Sequence, residues 1–254
     1  MAYSAGIDIG STFTKAVVLS DSSVMAACTI PSGGSYRNSA QQAMTEALAR
    51  SGLTYEDVVP VVATGYGAAI NPFPSRRVTE LACQGRAINH LFPSARTVVD
   101  IGGQATRVIR INAEGKVVGF ELSEICAGGS GRFLQLMARV LGIDFDDIGP
   151  LSLKAKKAVV FSTSCAVFAE SEAISRISEG AAKEDILAGV HAAMAAKVYS
   201  MLQRIKMERD CALTGGGARD RGLVKSIEEQ LGIALLIPEE PQLTAALGAA
   251  LIGR

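Results

Sequence analysis

Tryptophan is absent from this sequence and aromatic residues make up only 5% of it, yet hydrophobic residues reach 48%. That composition excludes fibrous and disordered classes and leaves a globular chain whose 254 residues suffice for two modest domains or one large one. Excess charge of either sign is also lacking, since Lys+Arg and Asp+Glu both number 25. No net basic field exists to drive the counterion release on which nucleic-acid binding relies, so no nucleic-acid partner is expected. No stretch approaches the roughly 20 apolar residues that span a bilayer, and no membrane partner is expected either. The start, from Met1 to Gly10, has neither the charged n-region nor the apolar h-region of a signal peptide, which points to the cytoplasm. A disulfide framework is not indicated: the five cysteines, at 28, 83, 126, 165 and 211, are odd in number and dispersed. Metal binding, redox work or plain burial remain open for them.

What is present is an alternation of strands and helices. Strands are expected at Ala5–Ile9, Thr14–Leu19, Val24–Ile30 and Val58–Ala63, with helices at Ser39–Arg50 and Thr79–Leu91, the second stopped by Pro93. These would form a first lobe over 1–94. A second lobe, 95–240, opens with a strand at Thr97–Asp100 and repeats the start of the first: Ile7-Asp8-Ile9-Gly10-Ser11 returns as Val99-Asp100-Ile101-Gly102-Gly103. Thr14-Lys15 returns in the same register as Thr106-Arg107, which reads as an internal duplication. Two unrelated hairpins with similar glycine turns are the plainer alternative. Beyond the second hairpin, strands are expected at Val117–Leu122, Ala158–Phe161 and Ala212–Thr214. Helices are expected at Arg132–Leu141, Ala166–Ile177, Gly222–Leu231 and Leu243–Ile252. The longest helix, Lys183–Ile205, keeps Ile186, Val190, Met194, Val198 and Leu202 on one stripe. The class is α/β, and the last helix, 241–254, is expected to pack back on the first lobe.

The two hairpins carry the chemistry. A strand that ends in Asp, followed by glycine and small hydroxyl residues, can aim backbone N–H groups at a phosphate while the carboxylate orients hydrated magnesium. Asp8, Gly10, Ser11, Thr12, Thr14 and Lys15 form one such set; Asp100, Gly102 and Gly103 form the other. Both carboxylates, at strand ends, are expected to face a cleft rather than the core. If the turns face each other, nucleotide binding would close that cleft between the lobes. The pattern Gly-x-x-x-x-Gly-Lys-Ser/Thr occurs nowhere, which excludes a P-loop. A third cluster, Gly215-Gly216-Gly217, follows Thr214 and precedes a helix, where missing side chains would let an adenosine lie against the backbone. Alone it reads equally well as a tight turn.

In this order, the two phosphate motifs and the adenosine motif resemble the sugar kinase, heat-shock chaperone and actin superfamily. The resemblance implies an actin-like, ribonuclease H-like ATPase fold of two lobes with nucleotide in the interlobe cleft. Within that superfamily, the segments Ser123 to Phe133 and Ser164 to Glu172 look like the cysteine motifs of ATP-dependent activators of 2-hydroxyacyl-CoA dehydratases and of benzoyl-CoA reductase ATPase subunits. The likeness continues to Pro241-Gln242-Leu243-Thr244. It implies ATP or ADP with Mg2+ as ligands, Asp8, Asp100 and Gln104 as catalytic residues, and Gln242 among the nucleotide contacts.

Cys126 precedes a Gly-Gly-Ser-Gly turn and a helix, and Cys165 stands at the start of another, where the helix dipole favours a thiolate or a reduced cluster. Two thiolates are too few for a cubane cluster, and no C-x2-C-x2-C run supplies more. A homodimer bringing two copies of Cys126 and Cys165 to its axis gives four ligands for one 4Fe-4S cluster, as the resemblance also implies. Burial is expected for Cys28, Cys83 and Cys211. The function implied is ATP-driven single-electron transfer from ferredoxin or flavodoxin to a dehydratase or reductase iron–sulfur protein. One departure stands out: dehydratase activators usually carry Asp where this chain has Ala105, which leaves open a branch that reduces a double-cubane cluster protein. An amino-sugar kinase and a nucleotide-switched regulator without a cluster are the competing classes.

Overall fold

The computed structural model describes residues 2–58, 61–73, 75–123, 128–161 and 166–254. In chain order these form β1 (Tyr3–Ile9), β2 (Phe13–Ser20), β3 (Ser23–Pro31), α1 (Tyr36–Ser51), β4 (Val61–Thr64), β5 (Ser75–Arg77), α2 (Glu80–Leu91), β6 (Thr97–Ile101), β7 (Thr106–Ile111), β8 (Val117–Leu122), α3 (Gly131–Leu141), α4 (Ile148–Ser152), α5 (Ala166–Ser178), α6 (Lys183–Arg204), β9 (Cys211–Thr214), α7 (Arg221–Leu231) and α8 (Thr244–Gly253). The chain divides into two compact units, one of residues 1–96, 111–118 and 238–254, the other of 97–110 and 119–237.

In the first unit the sheet order is β3-β2-β1-β4-β5. Its antiparallel meander is joined to β4 and β5 in parallel. Both faces of the sheet are covered, so β2 reads as a continuous apolar run, Ala16-Val17-Val18-Leu19, rather than an alternating one. Ala16 and Val18 pack with Ala43, Met44 and Ala47 of α1. Val17 and Leu19 pack on the opposite face with Ala87 of α2 and Ala246, Leu247 and Ala250 of α8. Helix α1 is fixed at its start by Ser35, whose hydroxyl accepts from the Asn38 amide, and ends at Gly52 in the left-handed conformation (φ 70°).

In the second unit the order is β8-β7-β6-β9, with β6 antiparallel to β7 and parallel to β9. Val99, Ile101, Val108 and Leu213 of the sheet share a core with Phe133, Leu134 and Met137 of α3 and with α6. All five residues of the expected α6 stripe are buried there. The expected strand at Ala158–Phe161 does not form. Its apolar run lies as irregular chain against α6, with the Val159 amide donating to Asp185 O at 2.9 Å and Gly189 seated against the Val159 carbonyl. Val58 closes a short 3-10 turn, Glu56–Val58, ahead of β4 rather than starting the strand.

Candidate functional site

In the first unit, antiparallel pairing sets Asp8 opposite Lys15, and the ammonium meets Oδ2 of Asp8 at 2.8 Å. The Gly10 amide donates to Phe13 O at 3.1 Å and closes the turn. Beneath it, the Thr14 hydroxyl lies 2.9 Å from Ser32 Oγ and 3.1 Å from Ser39 Oγ, and Ser32 Oγ donates to Gly10 O at 2.6 Å. Thr14 is therefore fully buried as a prop under the turn, while Ser11 and Thr12 lie half-buried on it. Their amides make no hydrogen bond among the described residues.

The second unit repeats the device. Asp100 stands opposite Arg107 at 3.1 Å, and each pair has the same side-chain exposure, 16% for the cation and 6% for the carboxylate. Gly102 N donates to Ala105 O at 2.9 Å. Gln104 projects from the turn, exposed. Both aspartates are buried and ion-paired. Asp8 nonetheless keeps one oxygen, Oδ1, buried and without a hydrogen-bond partner among the described residues, an atom suited to a metal-bound water.

A further turn completes each device, and only one of the two was expected. β4 and β9 run parallel to β1 and β6, which sets Thr64 beside Asp8 and Thr214 beside Asp100. Each threonine is followed by a left-handed glycine, Gly65 (φ 90°) or Gly215 (φ 80°). A Cβ on Gly65 would strike Asp8 Oδ1 and come within 2.7 Å of the Ile9 carbonyl; one on Gly215 would strike Asp100 Oδ1 and come within 2.5 Å of the Ile101 carbonyl oxygen. Gly67 and Gly217 seat against the side chains of Ile9 and Ile101 in the same way. The sequence signal is Thr-Gly-x-Gly, present at Thr64–Gly67 and at Thr214–Gly217. The middle residues differ. Tyr66 is 75% exposed, with its ring edge-on to Tyr36, whereas a Cβ on Gly216 would meet nothing within 4 Å. Packing does not demand the middle glycine, Gly216; it leaves backbone bare.

Gln242 belongs to the first unit; its Nε2 donates to Glu240 at 2.7 Å and its Oε1 is buried without a partner among the described residues. The proposed cluster ligands Cys126 and Cys165 lie outside the described residues. Their flanks do not. The Ser123 amide donates to Thr106 O at 2.9 Å, and the Thr106 hydroxyl donates to Gly129 O, so both ends of the segment holding Cys126 are tied to the strand that leaves the second turn. Gly131 and Arg132, opening α3, donate to Gly102 O and Gly103 O, each at 2.9 Å. α5 starts at Ala166, the residue after Cys165. Among the described residues no group of three or more His, Cys, Asp or Glu side chains could hold a metal ion.

The other cysteines are buried as expected. Burial pushes the thiol of Cys28 up to about 11, with Glu46 adding to the shift, and raises Cys83 and Cys211 to about 12. At pH 8 iodoacetamide should leave all three unmodified in the native protein and label them fully in denaturant, as peptide mass spectrometry would show. Native labelling of Cys83 at the denatured rate would contradict the burial described.

Comparison with known proteins gives a consistent result. Residues 5–253 match the BadF/BadG/BcrA/BcrD ATPase family. The chain is 38% identical to the 2-hydroxyisocaproyl-CoA dehydratase activator of Clostridioides difficile, over 98% of this chain and 94% of the relative. It is 36% identical to the (R)-2-hydroxyglutaryl-CoA dehydratase activating ATPase of Acidaminococcus fermentans, over 98% of this chain and 96% of that one. A benzoyl-CoA reductase component from Thauera aromatica is 34% identical, over 100% of this chain and 93% of the relative. Among solved structures, the activator of the 2-hydroxyisocaproyl-CoA dehydratase from Clostridium difficile with bound ADPNP superposes with a TM-score of 0.93 at 38% identity, covering 99% of this chain and 94% of that chain.

Proposed function

The chain belongs to the BadF/BadG/BcrA/BcrD ATPase family and has the actin-like ATPase fold, and from that premise we propose that it uses ATP hydrolysis to drive single-electron transfer to a partner iron–sulfur enzyme of the 2-hydroxyacyl-CoA dehydratase type. The observation that carries the reading is the duplicated device: a strand-end carboxylate held by a cation, a closed glycine turn, and a Thr-Gly-x-Gly turn packed onto the carboxylate.

In this reading Asp8 orients hydrated magnesium through its unpartnered oxygen, and the Gly10 to Thr12 backbone, propped by Thr14, receives phosphate oxygens. Asp100, Gly102, Gly103 and Gln104 position the terminal phosphate and the attacking water. Gly215 to Gly217 receive the adenosine, for which the bare Gly216 backbone is suited. Cys126 and Cys165 from two copies of the chain would hold one 4Fe-4S cluster, which when bound supplies a one-electron carrier. A cluster held there would take one electron from ferredoxin or flavodoxin and pass it to the acceptor, with hydrolysis of ATP to ADP and phosphate as the driving reaction. Two features support the dimer and its coupling. α5 leaves Phe168 (66%) and Ile174 (52%) exposed, apolar side chains that a second copy could cover. Thr106 ties the second turn to both flanks of Cys126.

A second reading rests on Ala105. It is buried and closes the turn through its carbonyl, and its methyl offers no carboxylate there, which keeps an acceptor of the double-cubane cluster type as the alternative. Iron and sulfide analysis on anaerobically purified protein tests the main reading. About four irons per dimer are expected, lost in Cys126→Ser and in Cys165→Ser with ADP binding retained, and kept in Cys28→Ser, Cys83→Ser and Cys211→Ser. A colourless wild-type protein that phosphorylates hexoses would replace this reading with a kinase.

A further inference from the structure

We propose that His191 is a positioning residue for the Thr214–Arg219 turn, acting through Asp220; this rests on the reading that the turn receives adenosine. The turn ends in a short 3-10 helix, Gly216–Arg219, and Asp220 follows it directly, its amide donating to Gly217 O at 3.2 Å. Asp220 is also the N-cap of α7: its Oδ1 accepts from the amides of Gly222 at 2.9 Å and Leu223 at 3.0 Å. Its other oxygen meets His191 Nε2 of α6 at 3.1 Å. One residue thus joins three elements: its backbone amide holds the end of the glycine turn, and its carboxylate holds the start of α7 and the side of α6.

The chemistry fixes the roles. Burial pushes the Asp220 carboxyl up, but the His191 hydrogen bond and charge and the two amides outweigh it and hold the group below the ordinary carboxylate range. Ionised Asp220 can only accept, so Nε2 of His191 donates. His191 is 1% exposed and its Nδ1 has no partner among the described residues, so nothing else there orients the ring by hydrogen bonding. Packing does the rest. A Cβ on Gly222 would collide with Ser152 Oγ and lie 2.9 Å from the His191 ring, and one on Gly149 would lie 2.6 Å from Asp220 Oδ1. The two glycines let α4 and α7 close around the pair. Without the imidazole donor, a largely buried carboxylate keeps its two amides but loses its third partner. It then gains by protonating or turning toward water, either of which loosens the residue that ends the turn.

The test uses the full-length protein and three variants: His191→Leu, His191→Gln, which restores a side-chain N–H near the Nε2 position, and Asp220→Asn, which keeps a capping oxygen. ADP affinity, KM for ATP, kcat and inhibition by magnesium tripolyphosphate are measured for each. Removing one hydrogen bond to a charged group should weaken ADP binding and raise KM about tenfold in His191→Leu. kcat at saturating ATP should stay within about twofold and tripolyphosphate inhibition should not change, because the phosphate turns are untouched. His191→Gln should return ADP affinity toward wild type, and Asp220→Asn should weaken ADP binding as His191→Leu does, which keeps the test open if His191→Leu fails to fold. Wild-type ADP affinity in the folded variants, or parallel losses of ADP and tripolyphosphate binding, would overturn the positioning role alone. Wild-type protein that binds tripolyphosphate but gains nothing from adenosine would overturn the adenosine reading and this inference with it.

Discussion

Asp8→Asn and Asp100→Asn should each lower ATP hydrolysis by about a thousandfold, the loss expected when metal-assisted charge stabilisation worth several kcal/mol is removed. The prediction follows from the proposed roles of the two carboxylates and from their surroundings. Each is 4% exposed and held by a cation from the neighbouring strand. Asparagine keeps the shape and one acceptor but leaves Lys15 or Arg107 without its counter-charge in a largely buried place, which adds a stability loss of up to about 3 kcal/mol. Thermal unfolding beside turnover separates the two effects. A folded Asp100→Asn protein with undiminished turnover would show that the second turn is not the hydrolytic one, and the same result in Asp8→Asn would remove the metal from the first.

The second large effect concerns the fold alone. Gly248→Ala should destabilise the first unit by about 3 kcal/mol or more, a fall in Tm of roughly 6–12 °C for a chain of this size. Helix α8 lies so close to α2 that a Cβ on Gly248 would overlap the Cys83 carbonyl and come within 2.9 Å of Cys83 Cα. These are backbone atoms, so no rotamer change relieves the overlap. Retreat is blocked on the other side, where Gly6 of β1 already sits against the Ala246 and Ala250 backbone. Gly34→Ala is the control, since nothing lies within 4 Å of its Cβ position and no left-handed φ is required. A Gly248→Ala protein melting within about 2 °C of wild type would mean that α8 is not wedged as described.

The duplication was legible because it is written in strand register. A hairpin with Asp before the glycine and a cation after it forces the two to face each other across the ladder, and both copies do. The family likeness read from the cysteine segments was likewise legible, and the family match agrees with it. The Thr64–Gly67 turn is hard to see in the sequence because its partner at Thr214 stands at a different separation from the hairpin: the second unit carries α3 to α6 where the first carries α1. Residues 158–161 mislead because a four-residue apolar run suits a buried strand and a chain laid on a helix equally well. β5, Ser75-Arg76-Arg77, has no apolar alternation to announce it, and α4 hides behind Gly149 and Pro150 in a single turn. Which oxygen of Asp8 lacks a partner, and that His191 meets Asp220, depend on tertiary packing that no local pattern encodes.

The two strand-end pairs have one more consequence. Lys15 with Asp8, and Arg107 with Asp100, each set an opposite charge against the cation, at 2.8 and 3.1 Å. A polyanion approaching either pair would therefore meet dipoles there and not a surplus cation. Attraction at these turns falls to amide groups and to whatever divalent ion the polyanion carries with it, so the metal acts in the ligand's recognition as well as in its breakdown. With no net charge to attract a polyanion at long range, the free nucleotide without its ion should be a poorer guest than the magnesium complex.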